Sequence, residues 1–324
     1  MKNKLIVNVS PHIRSKESIS KIMWAVFFSL VPAGVAGTVL FGWSAFWIIV
    51  LGIISAVITE GALQILTKKK ITVLDASAFL TGLLLAYNLP ANVPFWLPIV
   101  GSFFSIAIGK QIFGGLGQNI FNPALVGRVF LMASWPKYMT AFTQPLTYDA
   151  VTAATPLALI KEGKPLVFHN LSYLDFFWGR RGGCIGEVCI AALLLAAIFL
   201  FIKGYISFHI PVSYITTVGI FTYIFGQNGF LSGDWLFHLL SGGLVLGAFF
   251  MATDYVTSPL TYKGQLIFGI GCGIITAVIR LWGGYPEGVS YAILIMNAAT
   301  AIIDRYTRNR VYGSGLLRTQ KQKK

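Results

Sequence analysis

Three hydroxyls, at Thr147, Thr152 and Thr155, share the stretch TYDAVTAATPLALI (residues 147–160) with one acid, Asp149. This is the longest polar interruption of an otherwise apolar chain. The alanines before Thr155 are too small to hide it, so an exposed hydroxyl able to act as a nucleophile is expected there. Taken alone, the same residues also read as a plain loop.

A second set of polar groups lies inside apolar sequence. Asn119 and Asn122 stand three apart in GGLGQNIFNPALVGR (residues 114–128), and on a helix they would share a face. Their amides can hydrogen-bond a polar ligand held between helices, or they can tie neighbouring helices together. Pro123 removes a backbone donor, and non-helical backbone at membrane depth persists only where protein or a cavity satisfies it. Glu60, Asp75, Asp254 and Asp304 fall within or at the ends of apolar runs. Acids at such depth are costly and by default mark an ion path. Asp304 beside Arg305 and Asp75 after Lys70 read as interfacial charges, which leaves Glu60 and Asp254 as candidates. The cysteines (Cys184, Cys189, Cys272) form no CxxC pair and have no matching histidine spacing, so no metal ligands are assigned.

The elements that must position these groups follow from composition. Of 324 residues, 56% are hydrophobic and 11% charged, with a mean hydropathy of +0.72. A soluble domain carries roughly a quarter charged residues, so the chain reads as an all-α polytopic membrane protein. Its net charge of +14 is what cytoplasmic helix edges require, and no nucleic-acid partner is inferred. Apolar runs fall at 22–41, 44–66, 72–90, 95–109, 118–135, 186–203, 205–226, 235–253, 265–282 and 288–303. Each approaches the roughly 20 residues that a spanning helix needs, which predicts about ten transmembrane helices.

Basic residues orient them. Lys2, Lys4, Arg14, Lys16 and Lys21 precede the first run, Lys68 to Lys70 follow the second, and Lys110, Lys203 and Lys263 follow the fourth, sixth and eighth. With the basic tail, all fall on one side if both termini are cytoplasmic. The predicted organisation is a cytoplasmic segment 1–21, a transmembrane repeat 22–135, an extracytoplasmic loop 136–185, a second repeat 186–303 and a basic cytoplasmic tail 304–324. Asp75, Thr81-Gly82, Gly114-Gly115 and Asn122-Pro123-Ala124 recur as Asp234, Ser241-Gly242, Gly283-Gly284 and Asn297-Ala298-Ala299. Five spans per half make the second copy enter upside down, and inverted repeats place ligand sites near their interface on interrupted helices.

With VTAATPL outside and GQNIFNPALVGR and DASAFLTGLLLAYNLP in the membrane, the chain resembles a known family. It holds the D component of the Rnf electron-transport complex and the B component of the sodium-translocating NADH:quinone reductase; the short amino-terminal segment points to the Rnf member. The family's flavinylation motif is matched by Asp149, Thr152, Ala154 and Thr155, with Ala153 in place of glycine. The resemblance implies that Thr155 carries FMN through a phosphoester, attached by a flavin transferase that uses FAD. It also implies a non-covalent riboflavin in the membrane, with Thr81, Asn119 and Asn122 as contacts. It further implies a subunit of a Na+- or H+-translocating ferredoxin/NAD oxidoreductase complex in a bacterial or archaeal cytoplasmic membrane. Ferredoxin and NAD(H) would be met through partner subunits, and no complete active site is expected in this chain alone. The implied fold is similar to urea channels, so a channel or transporter for a small polar solute is the alternative reading, separated by the flavin motif.

Overall fold

A computed structural model describes residues 17–146, 152–161, 172–226 and 229–308 of the chain. The basic residues before Glu17, Thr147, Asp149 and the tail from 309 onward lie outside the described residues. Helix α1 (Ile19–Phe41) starts where Ser18 Oγ accepts the Lys21 N–H at 3.2 Å, a side-chain N-cap that satisfies one orphan donor. Gly42, at φ 80°, turns the chain into α2 (Trp43–Leu66). These two and α13 (Tyr262–Trp282) are long and apolar enough to cross a membrane.

The other apolar runs resolve into shorter helices. The run at 72–90 becomes a 3-10 turn and then α3 (Ser77–Tyr87). Its 11 residues rise only about 16 Å against a hydrocarbon thickness of about 30 Å. Helix α4 (Trp96–Ile106) continues into a π-helical turn at Ala107–Gln111. The expected helix from 118 begins only at α5 (Pro123–Ser134), where Asn122 caps it and proline takes the first position. Beyond it come α6 (Pro136–Met139), a two-residue antiparallel pairing of β1 (Phe142–Thr143) with β2 (Thr152–Ala153), α7 (Pro156–Lys161) and α8 (Tyr173–Trp178).

The second half holds α9 (Ile190–Ile202), α10 (His209–Ile224), α11 (Trp235–Leu240), α12 (Leu244–Leu246), α13 and α14 (Val289–Thr307). The expected helix at 235–253 is broken at Ser241–Gly243, and α12 runs into a second π-helical turn, Gly247–Met251. The apolar runs overstate helix length because apolar side chains such as Leu74 and Leu89 also lie outside the α-helices.

Packing follows one order in both halves. Helix α2 lies on α3 and α4, and α4 on α5; α10 lies on α11 and α13, and α13 on α14. Helices α1 with α9, and α5 with α14, join the halves. Small residues allow the closest approach, as in membrane helix pairs generally. A Cβ on Gly82 would stand 2.4 Å from the Gly52 carbonyl oxygen, and one on Gly273 would stand 2.5 Å from Thr217 Cβ.

Candidate functional site: a polar cleft and a buried threonine

Ser77, Thr81, Lys110, Asn119, Asn122 and Asp254 line one cleft. It encloses about 90 Å³, small beside the roughly 300–1,000 Å³ of small-molecule sites, and part of it is open to the outside. Its remaining walls include Val26, Leu80, Leu84 and Phe250, so a few polar groups converge on apolar surface. Thr81 and both asparagines, singled out in the sequence, are thus brought together with Asp254, more than a hundred residues away.

The asparagines do not share a helical face. Both precede α5, in backbone that Gly114, Gly115 and Gly117 turn through positive φ. Asn122 Oδ1 accepts the Ala124 N–H at 3.1 Å, and its Nδ2 donates to the Met251 carbonyl at 3.2 Å. That side chain therefore caps α5 and ties the two halves together. Asn119 Nδ2 donates to the Phe121 carbonyl at 3.1 Å, while its Oδ1 is buried without a partner among the described residues. Unsatisfied buried acceptors are rare and costly. Asp254 follows the second π-helical turn, and its Oδ2 accepts from Thr257 Oγ1 at 3.1 Å.

Glu60 does not line the cleft. It lies behind it, paired with Lys110, whose Nζ donates to Glu60 Oε1 at 2.7 Å, Glu60 Oε2 at 2.8 Å and Ser77 Oγ at 2.6 Å. Gln64 and Gln111 amides add donors to Glu60 Oε1 at 3.1 and 3.2 Å. Lys110 was expected at a cytoplasmic edge; instead its side chain is 2% exposed, so it leaves the count of orienting charges. The only trace of this in the sequence is a lone lysine closing the apolar run SFFSIAIGK.

Thr155 departs from expectation more sharply. It is buried, with 4% of its surface exposed. Its Oγ1 accepts the Ala158 N–H at 3.3 Å and its carbonyl the Leu159 N–H at 3.0 Å, so it opens α7. The residues after it carry it inward. Leu157 packs with Phe176 of α8 and Phe237 of α11. Lys161 Nζ donates to the carbonyls of Tyr285 at 2.7 Å and Ile279 at 3.3 Å. Partial burial lowers the Lys161 pKa. Helix α8 is held by a capping box between Ser172 and Asp175. The Ser172 N–H and hydroxyl keep the Asp175 carboxyl below its usual range.

Beside this seat is a buried charge cluster that sequence reasoning missed. Arg128 Nη1 donates to Asn88 Oδ1 at 2.6 Å, and its Nη2 pairs with Glu287. Arg181 Nη2 donates to the Glu187 carbonyl at 3.3 Å, and Glu187 Oε1 accepts the Cys184 N–H at 3.0 Å. Arg280 Nη2 donates to the Ser241 carbonyl at 3.0 Å. A Cβ on Gly242 would meet Leu157 Cδ1, Glu287 Oε1 and Arg280 Nη2, each within 3.1 Å. Helix α7 therefore docks directly on the charged cluster. Its sequence signals, RRGGCIGE and GGYPEG, pair only in space.

Residues 6–313 match the family model described as NQR2, RnfD, RnfE. The chain belongs to that family. Within the family the resemblance is to the D component of the Rnf complex. The chain is 53% identical over 312 residues, 95% of each chain, to the D component of the Na(+)-translocating ferredoxin:NAD(+) oxidoreductase complex of Acetobacterium woodii. Against the D component of the proton-translocating ferredoxin:NAD(+) oxidoreductase complex of Clostridium ljungdahlii it is 49% identical over 322 residues, 97% of each. It is 39% identical over 329 residues to the D component of the ion-translocating oxidoreductase complex of Stutzerimonas stutzeri, covering 92% of this chain and 93% of that one. Family membership and the apolar helices together make it a multi-pass membrane protein.

Proposed function

We propose that the chain is a flavin-carrying subunit of an ion-translocating ferredoxin:NAD+ oxidoreductase complex. It passes electrons through FMN held covalently at Thr155 and through riboflavin in the cleft. The relatives' names favour this redox role over the channel reading. For riboflavin, the carrying observation is the cleft itself: apolar walls suit the flat isoalloxazine, and Thr81, Asn119 and Asn122 supply its hydrogen-bonding edge. The unpartnered Asn119 Oδ1 suits the ring N–H.

Flavins supply the electron chemistry, and the protein supplies binding, orientation and electrostatics. Thr81, Asn119 and Asn122 hold the buried flavin; Glu60 and Asp254 are assigned to the ion path, the first through its pair with Lys110. A separate flavin transferase loads Thr155. The bond from Oγ1 to the FMN phosphorus of FAD forms as the pyrophosphate bond breaks and AMP leaves. The assigned membrane body is ten spans in two inverted five-helix repeats, with both termini cytoplasmic and 136–185 outside. Ferredoxin and NAD(H) are met by partner subunits.

The test is the mass of the proteolytic peptide containing residues 149–157, from protein made alongside an active transferase. FMN addition is expected in the wild-type chain, reduced addition in Thr155→Ser, and none in Thr155→Ala. An unmodified wild-type peptide would overturn the covalent-flavin assignment.

A further inference from the structure

Among the described residues, Lys110 is the one Lys or Arg that lines the cleft, which it shares with Thr81, Asn119 and Asn122. It occupies the π-helical turn that ends α4, and such turns cluster at functional sites. The turn is set tightly against the start of α5: a Cβ on Gly109 would stand 2.8 Å from Pro123 Cα. Lys110 is thereby held in the cleft wall. It is anchored by both oxygens of Glu60 and by Ser77 Oγ.

Stability alone does not account for this pair. Burying two charges costs several kcal/mol per ion, and a well-packed apolar pair in their place is often as stable or more so. What the pair supplies is a fixed positive charge on a residue that lines the cleft and a fixed negative charge on one that does not. Resting, the two cancel at a distance. For a molecule inside the cleft, Lys110 is nearer than Glu60, and Coulomb energy rises as separation falls; Asp254, also on the cleft wall, is the same in every variant compared below. Charge near the ring nitrogens is one of the ways a protein tunes a flavin.

We propose that Lys110 is the counter-charge of the buried flavin, a positioning residue whose ammonium, held by Glu60 and Ser77, favours the reduced form. This rests on the riboflavin reading above. Reduction adds one electron to the ring, delivered in the complex by the neighbouring redox subunit and in a titration by dithionite. No bond forms to Lys110, whose charge offsets the one added. Glu60 has the opposite influence: as a carboxylate it weakens the field of Lys110, and as a neutral amide it leaves that field unopposed.

The experiment uses the purified full chain carrying Thr155→Ala, so that riboflavin is its only flavin. Riboflavin is first quantified after denaturation, then titrated optically against potential. Lys110→Met is expected to lower the reduced-to-oxidised ratio at fixed potential at least tenfold, a shift of about 59 mV for one electron. Glu60→Gln should move the potential the opposite way, and Lys110→Arg should restore it. Because Lys110→Met leaves Glu60 buried alone, the Glu60→Gln, Lys110→Met double variant is compared with Glu60→Gln; the double is expected to be lower. Full riboflavin with equal potentials in that comparison, or the same direction of shift from Lys110→Met and Glu60→Gln, overturns the inference. A chain without riboflavin overturns the cleft reading itself, and the initial quantification distinguishes the two failures.

Discussion

Leu157→Ala addresses how a transferase reaches a hydroxyl that is 4% exposed. In the docked state Thr155 Oγ1 is occupied by the Ala158 N–H, and Leu157 holds α7 down against Phe176 and Phe237. Labelling should therefore proceed before α7 docks, or through a state in which it has lifted away. Leu157 is 5% exposed, and truncating a buried leucine costs about 2–5 kcal/mol. At the low end, with a factor of ten for every 1.4 kcal/mol, the undocked population rises about thirtyfold. The assay is in-gel flavin fluorescence over time, with purified unlabelled full chain, transferase and FAD. Leu157→Ala should label about thirtyfold faster than the wild-type chain, levelling off once the undocked form predominates. Leu174→Ala, an exposed position on the neighbouring α8, should not change the rate. Equal rates for wild type and Leu157→Ala, with the wild-type chain labelling as fast as a free peptide of residues 147–161, would refute the reasoning.

Two other outcomes are expected. Asn119→Leu combined with Asn122→Ser, which retains a side-chain cap for α5, should lose the riboflavin released by denaturation while covalent flavin at Thr155 remains; riboflavin at wild-type stoichiometry would return the asparagines to joining helices. Glu287→Gln leaves Arg128 with no carboxylate partner in its buried pair and should cost about 3–5 kcal/mol, read as a lower melting midpoint in detergent. Adding Arg128→Met should recover much of that loss, and no recovery would show that Glu287 acts through some other contact.

Several features were legible in the residues because their causes are local. Low charge and high hydropathy set the membrane class, since the bilayer excludes charged side chains wherever they fall. The caps at Ser18 and Asn122 are local too, but the apolar run from 118 hid the second by reading Asn122 as helical. The polar interruption itself, at Asn119 and Asn122, was visible because it is local. What the chain's local pattern could not carry was pairing across distance. Lys110 finds Glu60 fifty residues away, and Arg128 finds Glu287 across 159; Lys110 alone looks like an edge charge, and nothing near Arg128 in the chain marks its partner. Helix length was overstated at 72–90 because apolar residues such as Leu74 and Leu89 also occupy backbone outside α3, and at 235–253 because Ser241-Gly242-Gly243 breaks an otherwise apolar run. Thr155 looked exposed beside small alanines, but Leu157, two residues on, packs against α8 and α11. Only the tertiary structure brings Leu157 to Phe176 and Phe237 and so draws the threonine inward.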